Sequence, residues 1–511
     1  MEYLLGIDIG TTGTKTVLFD LDGNVISTKT VEYPLYQPQN GWAEQDPADW
    51  WNAVKEGIGA VLAHSGIPAQ RIRGIGLSGQ MHGLVMLDKN GEVLRRSIIW
   101  CDQRTAAECA QMNRLIGEKR LIEVTANPAL TGFTASKILW VQNNEPELYA
   151  RCAHILLPKD YIRYRLTGEF ATEVSDACGM QLMDIPKRCW SAEVCEKLGI
   201  DTALLPKLYE SPEVTGTVHH QAAQETGLFP GTLVVGGAGD NAAAAVGTGV
   251  VRQGTAFNTI GSSGVIYTVT DEVRIDPLGR VHTLCASVPG KWTVMSCTQA
   301  AGLSLKWLRD TCCAPEVEEA ACQGVDPYQI MDRLAEQVGV GAGGLLYLPY
   351  LMGERSPHPN ADCRGVFFGL SAMHGRGHLI RAVMEGVAYS QRECLDVFRE
   401  MGVQVNQMTA CGGGGRSPLW RQMLADLYGC PISTVHADEG PALGAAILAG
   451  VGAGVYPSVE EACDQLIRCQ PRNQPIPENS KQYEGYYQLY KELYLSLLER
   501  FTDLAKLNNY K

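Results

Sequence analysis

Two turns rich in Gly, Thr and Ser, about half a chain apart, contain the residues best suited to phosphate chemistry. The first covers residues 10–13 (Gly-Thr-Thr-Gly) and the second covers residues 261–264 (Gly-Ser-Ser-Gly). Each lies between two apolar stretches, so it is predicted to present backbone N–H and hydroxyl donors at a tight corner between two strands. One such turn is more often an ordinary hairpin, but its repetition favours two phosphate-binding corners. Asp8, beside the first corner, is predicted to hold Mg²⁺ directly or through water.

Asp240 is the second candidate for chemistry. It ends an apolar strand pattern and precedes Asn241 and a helix of small residues. Asp is a good helix N-cap, which gives it a structural interpretation. It is equally suited to act as a general base that takes a proton from a substrate hydroxyl. The residues alone leave these two interpretations open.

Three further patterns bear on ligand binding. His82 lies in a Gly-flanked loop between two strand patterns, which favours ligand contact over a core position. The four glycines of residues 412–415 cost backbone entropy, so a flat group such as adenine or ribose is predicted to lie against them. Residues 74–79 match Gly-x-Gly-x-x-Gly, but a loop and a strand pattern follow instead of a helix, so no dinucleotide site is predicted. The sequence also has no P-loop motif.

The elements that must position these residues follow an α/β pattern that occurs twice. Strands are predicted at residues 3–9, 15–20, 23–34, 72–77, 83–88 and 231–237 in the first half, and near 255–268, 282–287 and 292–296 in the second. A helix is predicted to begin at Asp46-Pro47, and a mostly helical insert spans about 104–225. A strand, turn and helix follow over 407–430. The tyrosines of the C-terminal helical pattern, 481–507, are assigned to core packing.

Bulk composition narrows the protein class. A chain of 511 residues is too long for one core and predicts two large domains. The net charge of -13 argues against nucleic acid as a partner, since phosphate neutralisation needs a basic surface. The sequence has no signal segment and no apolar run long enough to cross a membrane, so a cytoplasmic protein is expected. The 17 cysteines are scattered without zinc spacing, as expected of free thiols.

Over essentially its whole length the chain resembles the FGGY carbohydrate kinases. The similar segments are residues 6–15, 80–83, 100–104, 132–140, 157–161, 239–241, 261–264, 348–355, 365–370, 378–385, 412–417 and 440–446. The resemblance implies two actin-like (ribonuclease H-like) ATPase domains with an interdomain cleft. It places sugar binding and the catalytic base in residues 1–245, and nucleotide binding in residues 246–511.

The resemblance also implies roles for single residues. Asp240 is similar to the catalytic base of the family, and Asp8 to the carboxylate near magnesium. The expected sugar contacts are Met81, His82, Trp100, Asp240 and Asn241. The expected ATP contacts are Thr11, Thr12, Lys15, Gly261, Ser262, Gly412, Gly413, Gly414 and Ser417. Two positions differ from the family pattern: Ser262 replaces the usual Thr of the second corner, and Cys101 replaces a frequent Asn.

The implied activity is ATP- and Mg²⁺-dependent phosphorylation of a sugar. D-xylulose is the expected acceptor and D-xylulose 5-phosphate the product, because the Met81-His82 pair is typical of kinases for that sugar, whereas glycerol kinases have Arg-Glu there. A kinase for ribulose, a polyol or an aldonic acid is the near alternative, and a non-catalytic actin-like ATPase or sugar sensor the distant one. The expected partners are D-xylulose and ATP, without nucleic acid or membrane, and a homodimer remains open.

Overall fold

A computed structural model describes residues 1–435 and 440–508 of the chain. The strands of the first half are β1 (Tyr3–Ile9), β2 (Gly13–Asp20), β3 (Val25–Glu32), β4 (Glu44–Gln45), β5 (Ile72–Gly79), β6 (Val85–Leu87), β7 (Ser97–Ile98), β8 (His154–Leu156), β9 (Ala171–Glu173), β10 (Met183–Asp184), β11 (Cys189–Trp190), β12 (Lys207–Tyr209), β13 (Val214–Thr217), β14 (Leu233–Val235) and β15 (Ala238–Gly239). Its helices are α1 (Pro47–Ser65), α2 (Ala106–Ile116), α3 (Glu118–Thr125), α4 (Thr134–Asn144), α5 (Pro146–Tyr149), α6 (Pro158–Thr167), α7 (Val174–Ala177), α8 (Ala192–Leu198), α9 (His220–Thr226) and α10 (Asp240–Gly247).

The second half has the same mixture of elements. Its strands are β16 (Gly254–Ile260), β17 (Gly264–Thr270), β18 (His282–Cys285), β19 (Trp292–Thr298), β20 (Leu346–Leu348), β21 (Val366–Phe368), β22 (Val405–Cys411), β23 (Ile432–Val435) and β24 (Cys469–Asn473). Its helices are α11 (Gly302–Cys312), α12 (Ala314–Gln323), α13 (Pro327–Glu336), α14 (Arg376–Glu400), α15 (Pro418–Tyr428), α16 (Gly440–Gly452), α17 (Val459–Leu466) and α18 (Pro477–Asn508).

The same sheet occurs in both halves. Within the described residues, each half has a seven-stranded sheet, ordered β13-β14-β5-β1-β2-β3 with β15 beside β5, and β18-β19-β17-β16-β22-β23-β24. In the first, β1 is antiparallel to β2 and parallel to β5; in the second, β16 is antiparallel to β17 and parallel to β22. The predicted α/β fold with two actin-like halves is therefore confirmed. The insert over 104–225 is less uniformly helical than predicted, because it contains the short strands β8 to β13.

Helix α1 illustrates how local sequence sets an element. The Asp46 carboxylate accepts a hydrogen bond from the Ala48 N–H (3.0 Å), and Pro47 occupies the first turn, where a missing N–H costs nothing. The helix ends at Gly66, whose φ of 64° is left-handed. Trp50 and Val54 lie on its fully buried face against the first sheet.

Helices α10 and α16 join the two halves. Helix α16 belongs to the second half by sequence, but it packs on the first sheet so closely that a Cβ added at Gly6 would lie 2.0 Å from the Ala442 carbonyl oxygen. A Cβ added at Gly444 would lie 1.9 Å from the Ala243 carbonyl oxygen of α10. The glycines therefore allow backbone-to-backbone contact where Asp240 begins its helix.

The C-terminal helix α18 packs its tyrosines into the core. Tyr483, Tyr487 and Tyr490 are among those that are fully buried, so their predicted assignment to the core is confirmed. The cysteines of the described residues are free thiols. Among the helices that the structure describes, none combines the length and the apolar character needed to span a membrane.

Candidate active site

The first corner is the turn between β1 and β2, and side chains from elsewhere in the first half hold it in place. The Gly10 N–H donates to the Gly13 carbonyl (3.1 Å), which closes the turn. The Gln45 amide donates to the Thr11 carbonyl (2.7 Å), and the Trp100 indole N–H donates to the Thr11 hydroxyl (2.8 Å). Thr12 is exposed at the tip of the turn. The corner is thus preorganised before any ligand binds.

Asp8 faces this corner from β1. It pairs in register with Lys15 on β2 and Ser78 on β5, and its carboxylate accepts a hydrogen bond from the Ser78 hydroxyl (2.8 Å). Burial raises the pKa of Asp8, against the opposing effects of the Ser78 hydrogen bond and the Lys15 charge. A partly desolvated carboxylate at this position favours a bound cation.

Asp240 is the first residue of α10, and Gly239 occupies the capping position. Its carboxylate accepts hydrogen bonds from the backbone N–H (2.7 Å) and the side-chain amide (2.9 Å) of Asn241. Burial, followed by the negative charge of Asp8, raises the pKa of Asp240 to about 7. The N-cap interpretation left open by the sequence is therefore not what the structure shows. A carboxylate with this pKa can accept a proton near neutral pH.

Met81 and His82 form a rigid loop between β5 and β6. Met81 is buried and packs so closely on Gly239 that an added Cβ there would lie 2.9 Å from its Cγ. His82 has a left-handed backbone (φ 69°), its ring stacks on Phe133 with centroids 4.3 Å apart, and its Nδ1 lies 3.0 Å from the Gly179 carbonyl oxygen. Burial and then the Lys137 charge lower the pKa of His82 well below its usual value.

The tautomer of His82 follows from its partner. The Gly179 carbonyl can only accept, so the hydrogen-bond network assigns the proton to Nδ1. The neutral ring then carries a lone pair on Nε2, which can accept a hydrogen bond from a ligand hydroxyl.

Lys137 fixes the backbone of this loop. It is buried in α4 and donates to the carbonyl oxygens of His82 (2.8 Å) and Gly132 (2.7 Å), and the Thr134 hydroxyl also donates to the His82 carbonyl (3.1 Å). Burial lowers the pKa of Lys137 to about 7, with the Asp102 charge opposing the shift. The strained φ of His82 is therefore held by two donors to its carbonyl, by the hydrogen bond of its ring to Gly179 and by the ring stack.

Trp100 and Cys101 lie beside the first corner. Trp100 is 42% exposed although its indole is hydrogen bonded to Thr11, so one ring face is available to a ligand. Cys101 is half-buried, and burial raises the pKa of its thiol, which leaves it neutral.

The second corner lies between β16 and β17, and backbone groups support it. The Gly261 N–H donates to the Ser263 carbonyl (3.0 Å), while the Ser262 carbonyl accepts from the N–H groups of Ala301 (3.0 Å) and Leu303 (3.1 Å). The turn therefore lies directly on the first turn of α11.

A cavity of about 800 Å³ opens beside the second corner. Of the predicted ATP contacts, it is lined by Gly261, Ser262, Gly413, Gly414 and Ser417. Gly412 lies outside the cavity wall and has a φ of 73°, and an added Cβ there would lie 2.8 Å from the Ile260 carbonyl oxygen. The predicted contacts of the first corner, Thr11, Thr12 and Lys15, do not line this cavity.

Ser417, a predicted ATP contact, also has a structural role, because its hydroxyl caps α15 by accepting a hydrogen bond from the Trp420 N–H (3.0 Å).

Several other residues of the site carried no recognisable pattern in the sequence. The cavity wall adds Asp332 of α13, whose pKa burial raises. Lys137 and Ser78 were missed because their roles depend on contacts that the chain makes only when it is folded. The one available signal was that position 137 lies in residues 132–140, a segment that resembles the FGGY carbohydrate kinases.

Comparison with known proteins places the chain in a family. The model of the "FGGY family of carbohydrate kinases, N-terminal domain" matches residues 3–247, and the corresponding C-terminal domain model matches residues 256–453. A "Xylulose kinase" of Bacillus subtilis is 40% identical over 504 residues, covering 99% of both chains, and a "Gluconokinase" of the same organism is 32% identical over 506 residues, covering 99% of this chain and 98% of the relative. The crystal structure of xylulose kinase from Rhodospirillum rubrum has a TM-score of 0.91 and 31% identity, covering 98% of this chain and all of that one.

Both halves match their respective domain models, and the relatives align from end to end. The duplicated sheets, the paired corners and the acid at the start of α10 agree with that match. The chain belongs to the FGGY family of carbohydrate kinases.

Proposed function

We propose that this kinase transfers the γ-phosphoryl group of ATP to the terminal hydroxyl of D-xylulose, giving D-xylulose 5-phosphate and ADP. The observation that carries the proposal is Asp240, a carboxylate with a pKa of about 7 beside the Asp8 corner and the Met81-His82 loop. The full-length likeness to proteins named xylulose kinase supports D-xylulose as the acceptor.

In the proposed reaction Asp240 accepts the proton of the attacking sugar hydroxyl. Asn241 holds one carboxylate oxygen through two hydrogen bonds, which fixes the direction of the other. The neutral Nε2 of His82 accepts a hydrogen bond from a second sugar hydroxyl, and Trp100 packs against the carbon chain. Phosphoryl transfer depends mainly on such positioning.

ATP is proposed to bridge the halves. Its adenosine lies in the cavity against Gly413 and Gly414, and its phosphates contact Gly261 and Ser262 on one side and Thr11, Thr12 and Lys15 on the other. Residues 1–245 would then act as the sugar and base domain, and residues 246–511 as the nucleotide domain. The two corners provide donors of the kind that phosphate oxygens need.

Mg²⁺ fits this arrangement. Within the described residues, no group of three or more His, Cys, Asp or Glu side chains could hold a metal unaided. Mg²⁺ commonly needs only one or two carboxylates, together with phosphate oxygens and water, and Asp8 supplies such a carboxylate. When bound, the ion would neutralise charge on the phosphates.

An aldonic acid is the second candidate acceptor, because a gluconokinase aligns with the chain over nearly its full length. A coupled assay of ADP release with D-xylulose, D-ribulose, gluconate and glycerol separates the candidates. The highest kcat/KM is expected for D-xylulose, and a higher value for gluconate or D-ribulose would replace that assignment. If none of the four compounds supports the release of ADP, kinase activity toward these classes of acceptor is contradicted.

A further inference from the structure

Arg355, outside the site assigned above, brings a charge from the second half to the sugar pocket of the first. A Cβ added at Gly132 would lie 3.3 Å from the Arg355 Nη2 and 3.0 Å from the Trp100 carbonyl oxygen. Gly132 also accepts a hydrogen bond from Lys137, which holds the His82 loop. The guanidinium therefore lies close to Gly132, whose backbone neighbours Trp100 and is joined through Lys137 to the His82 loop.

Arg355 also acts on the thiol of Cys297 on β19, and Asp240 acts on the same thiol. Burial raises the pKa of Cys297, Arg355 lowers it, and the negative charge of Asp240 is close enough to raise it further. Arg355 also contributes to the low pKa of His82, after burial and Lys137. The charge of Arg355 therefore affects both His82 and Cys297.

Neighbouring carboxylates do not neutralise this guanidinium. Glu354, the adjacent acid, accepts from the backbone N–H groups of Gln299 (2.8 Å) and Arg355 (2.7 Å) through one oxygen. Burial raises the pKa of Glu354 to about 8, so it is largely protonated at neutral pH. Arg355 forms no ion pair within residues 1–435 and 440–508. A half-buried guanidinium has five N–H donors that need acceptors.

We propose that Arg355 binds the acceptor sugar, donating hydrogen bonds to its oxygen atoms from the second half, opposite Met81 and His82. The proposal rests on the proposed function and adds a specificity residue to that site. Residues of both halves would then form the acceptor pocket, because one of its walls comes from the loop that follows β20.

The test compares Arg355→Met and Arg355→Lys with Arg364→Met. Arg364 lies in the same loop, is exposed, and donates to the Ala361 and Cys363 carbonyls (2.7 Å each), so it is a matched control. The kcat and both KM values are measured with the acceptor that the wild type uses best. Hydrogen bonds to a charged group are worth about 1.5–3 kcal/mol, so Arg355→Met is expected to raise the acceptor KM roughly 10- to 100-fold. The KM for ATP should change less than about twofold.

Two further results support acceptor binding: an intermediate acceptor KM for Arg355→Lys, and partial rescue of Arg355→Ala by added guanidinium ion. An unchanged acceptor KM in Arg355→Met, or equal rises in both KM values, would overturn the proposal. So would a loss in Arg364→Met as large as in Arg355→Met. Thermal unfolding identifies a misfolded variant, and Arg355→Lys then provides the test. If gluconate proves the best acceptor, D-xylulose is rejected, while the Arg355 result is still decided with gluconate.

Discussion

The two phosphate corners occupy the same place in their sheets but differ in charge. In the first, Asp8 precedes Ile9-Gly10 and pairs with Lys15 and Ser78 on the flanking strands. In the second, Thr259 precedes Ile260-Gly261, and its partners at the equivalent register are Val265 and Cys411. The backbone arrangement is thus repeated, whereas the first corner has the charged residues Asp8 and Lys15 where the second has the uncharged residues Thr259 and Val265.

The supports of the corners differ as well. Two side chains from distant segments, Gln45 and Trp100, hold the first turn, whereas the second is held mainly by the backbone at the start of α11, with one hydrogen bond from the Thr298 hydroxyl. Trp100 is also a proposed sugar contact, so acceptor binding and the first corner are physically connected. The two sheets thus share one backbone arrangement, and we propose that the side chains added to the first make it the side that reacts with the sugar.

The largest expected effect comes from removing the base on that side. Asp240→Asn keeps the shape and much of the hydrogen bonding but cannot accept the sugar proton. General-base catalysis contributes about 10²- to 10⁴-fold, so kcat should fall by that factor while sugar binding, measured by calorimetry, persists. A fall of less than about tenfold would remove Asp240 from this role.

Removing the carboxylate of the first corner should have the next largest effect. Asp8→Asn is expected to lower kcat by about 10²-fold, because both the proposed cation ligand and the local negative charge are lost. Thr259→Val alters the register-equivalent residue of the second corner without a charge change and should lower kcat less than about threefold. Equal losses in the two variants would contradict the asymmetry of the corners.

The pH profile gives the same comparison an independent readout. Asp240 must be ionised to act, so kcat/KM for the sugar should rise with pH and level off above about 7, where its pKa lies. The Asp8 charge raises that pKa, so Asp8→Asn should move the rising limb to lower pH. Because burial is the larger cause, the limb should stay above the ordinary value for aspartate. A limb that does not move would mean that Asp8 and Asp240 are not coupled.

A smaller effect is expected from the sugar loop. His82→Ala removes the Nε2 acceptor and the stack on Phe133, so the KM for D-xylulose should rise about tenfold, the equivalent of about 1.4 kcal/mol. The KM for ATP should change little, since the loop is absent from the wall of the nucleotide cavity. Parallel increases in both values would indicate general damage to the fold.

The sequence predicted features that are local in the chain. The corners, the strands that flank them and the acid at the start of α10 depend on residue types at short spacing, and apolar patterns predicted the strands. Asp240 remained ambiguous in the sequence because its pKa depends on burial and on Asp8, 232 positions away in the chain.

The unpredicted features depend on contacts between distant segments. The Trp100 indole reaches Thr11, 89 residues away, and His82 reaches Gly179, 97 residues away. Asp332 lines the cavity beside the second corner from a helix with no motif of its own. Such contacts form only when segments that are distant in the chain fold together, so no local pattern identifies them.

The glycine loop beside the second corner permits the finest test, with the smallest expected effect. An added Cβ at Gly413 meets nothing within 4 Å, whereas one at Gly414 would lie 2.4 Å from Cγ2 of Ile260, which precedes the corner. Both residues line the cavity. Gly414→Ala should therefore cost about 1–3 kcal/mol of stability through overpacking and also raise the KM for ATP.

Gly413→Ala should leave the free energy of unfolding unchanged or slightly higher, because alanine restricts the unfolded chain. If the nucleotide lies against this bare backbone, Gly413→Ala should still raise the KM for ATP a few-fold, and thermal unfolding with and without ATP separates the two effects. An unchanged KM in Gly413→Ala would show that the loop serves the packing of the second corner and does not contact the nucleotide.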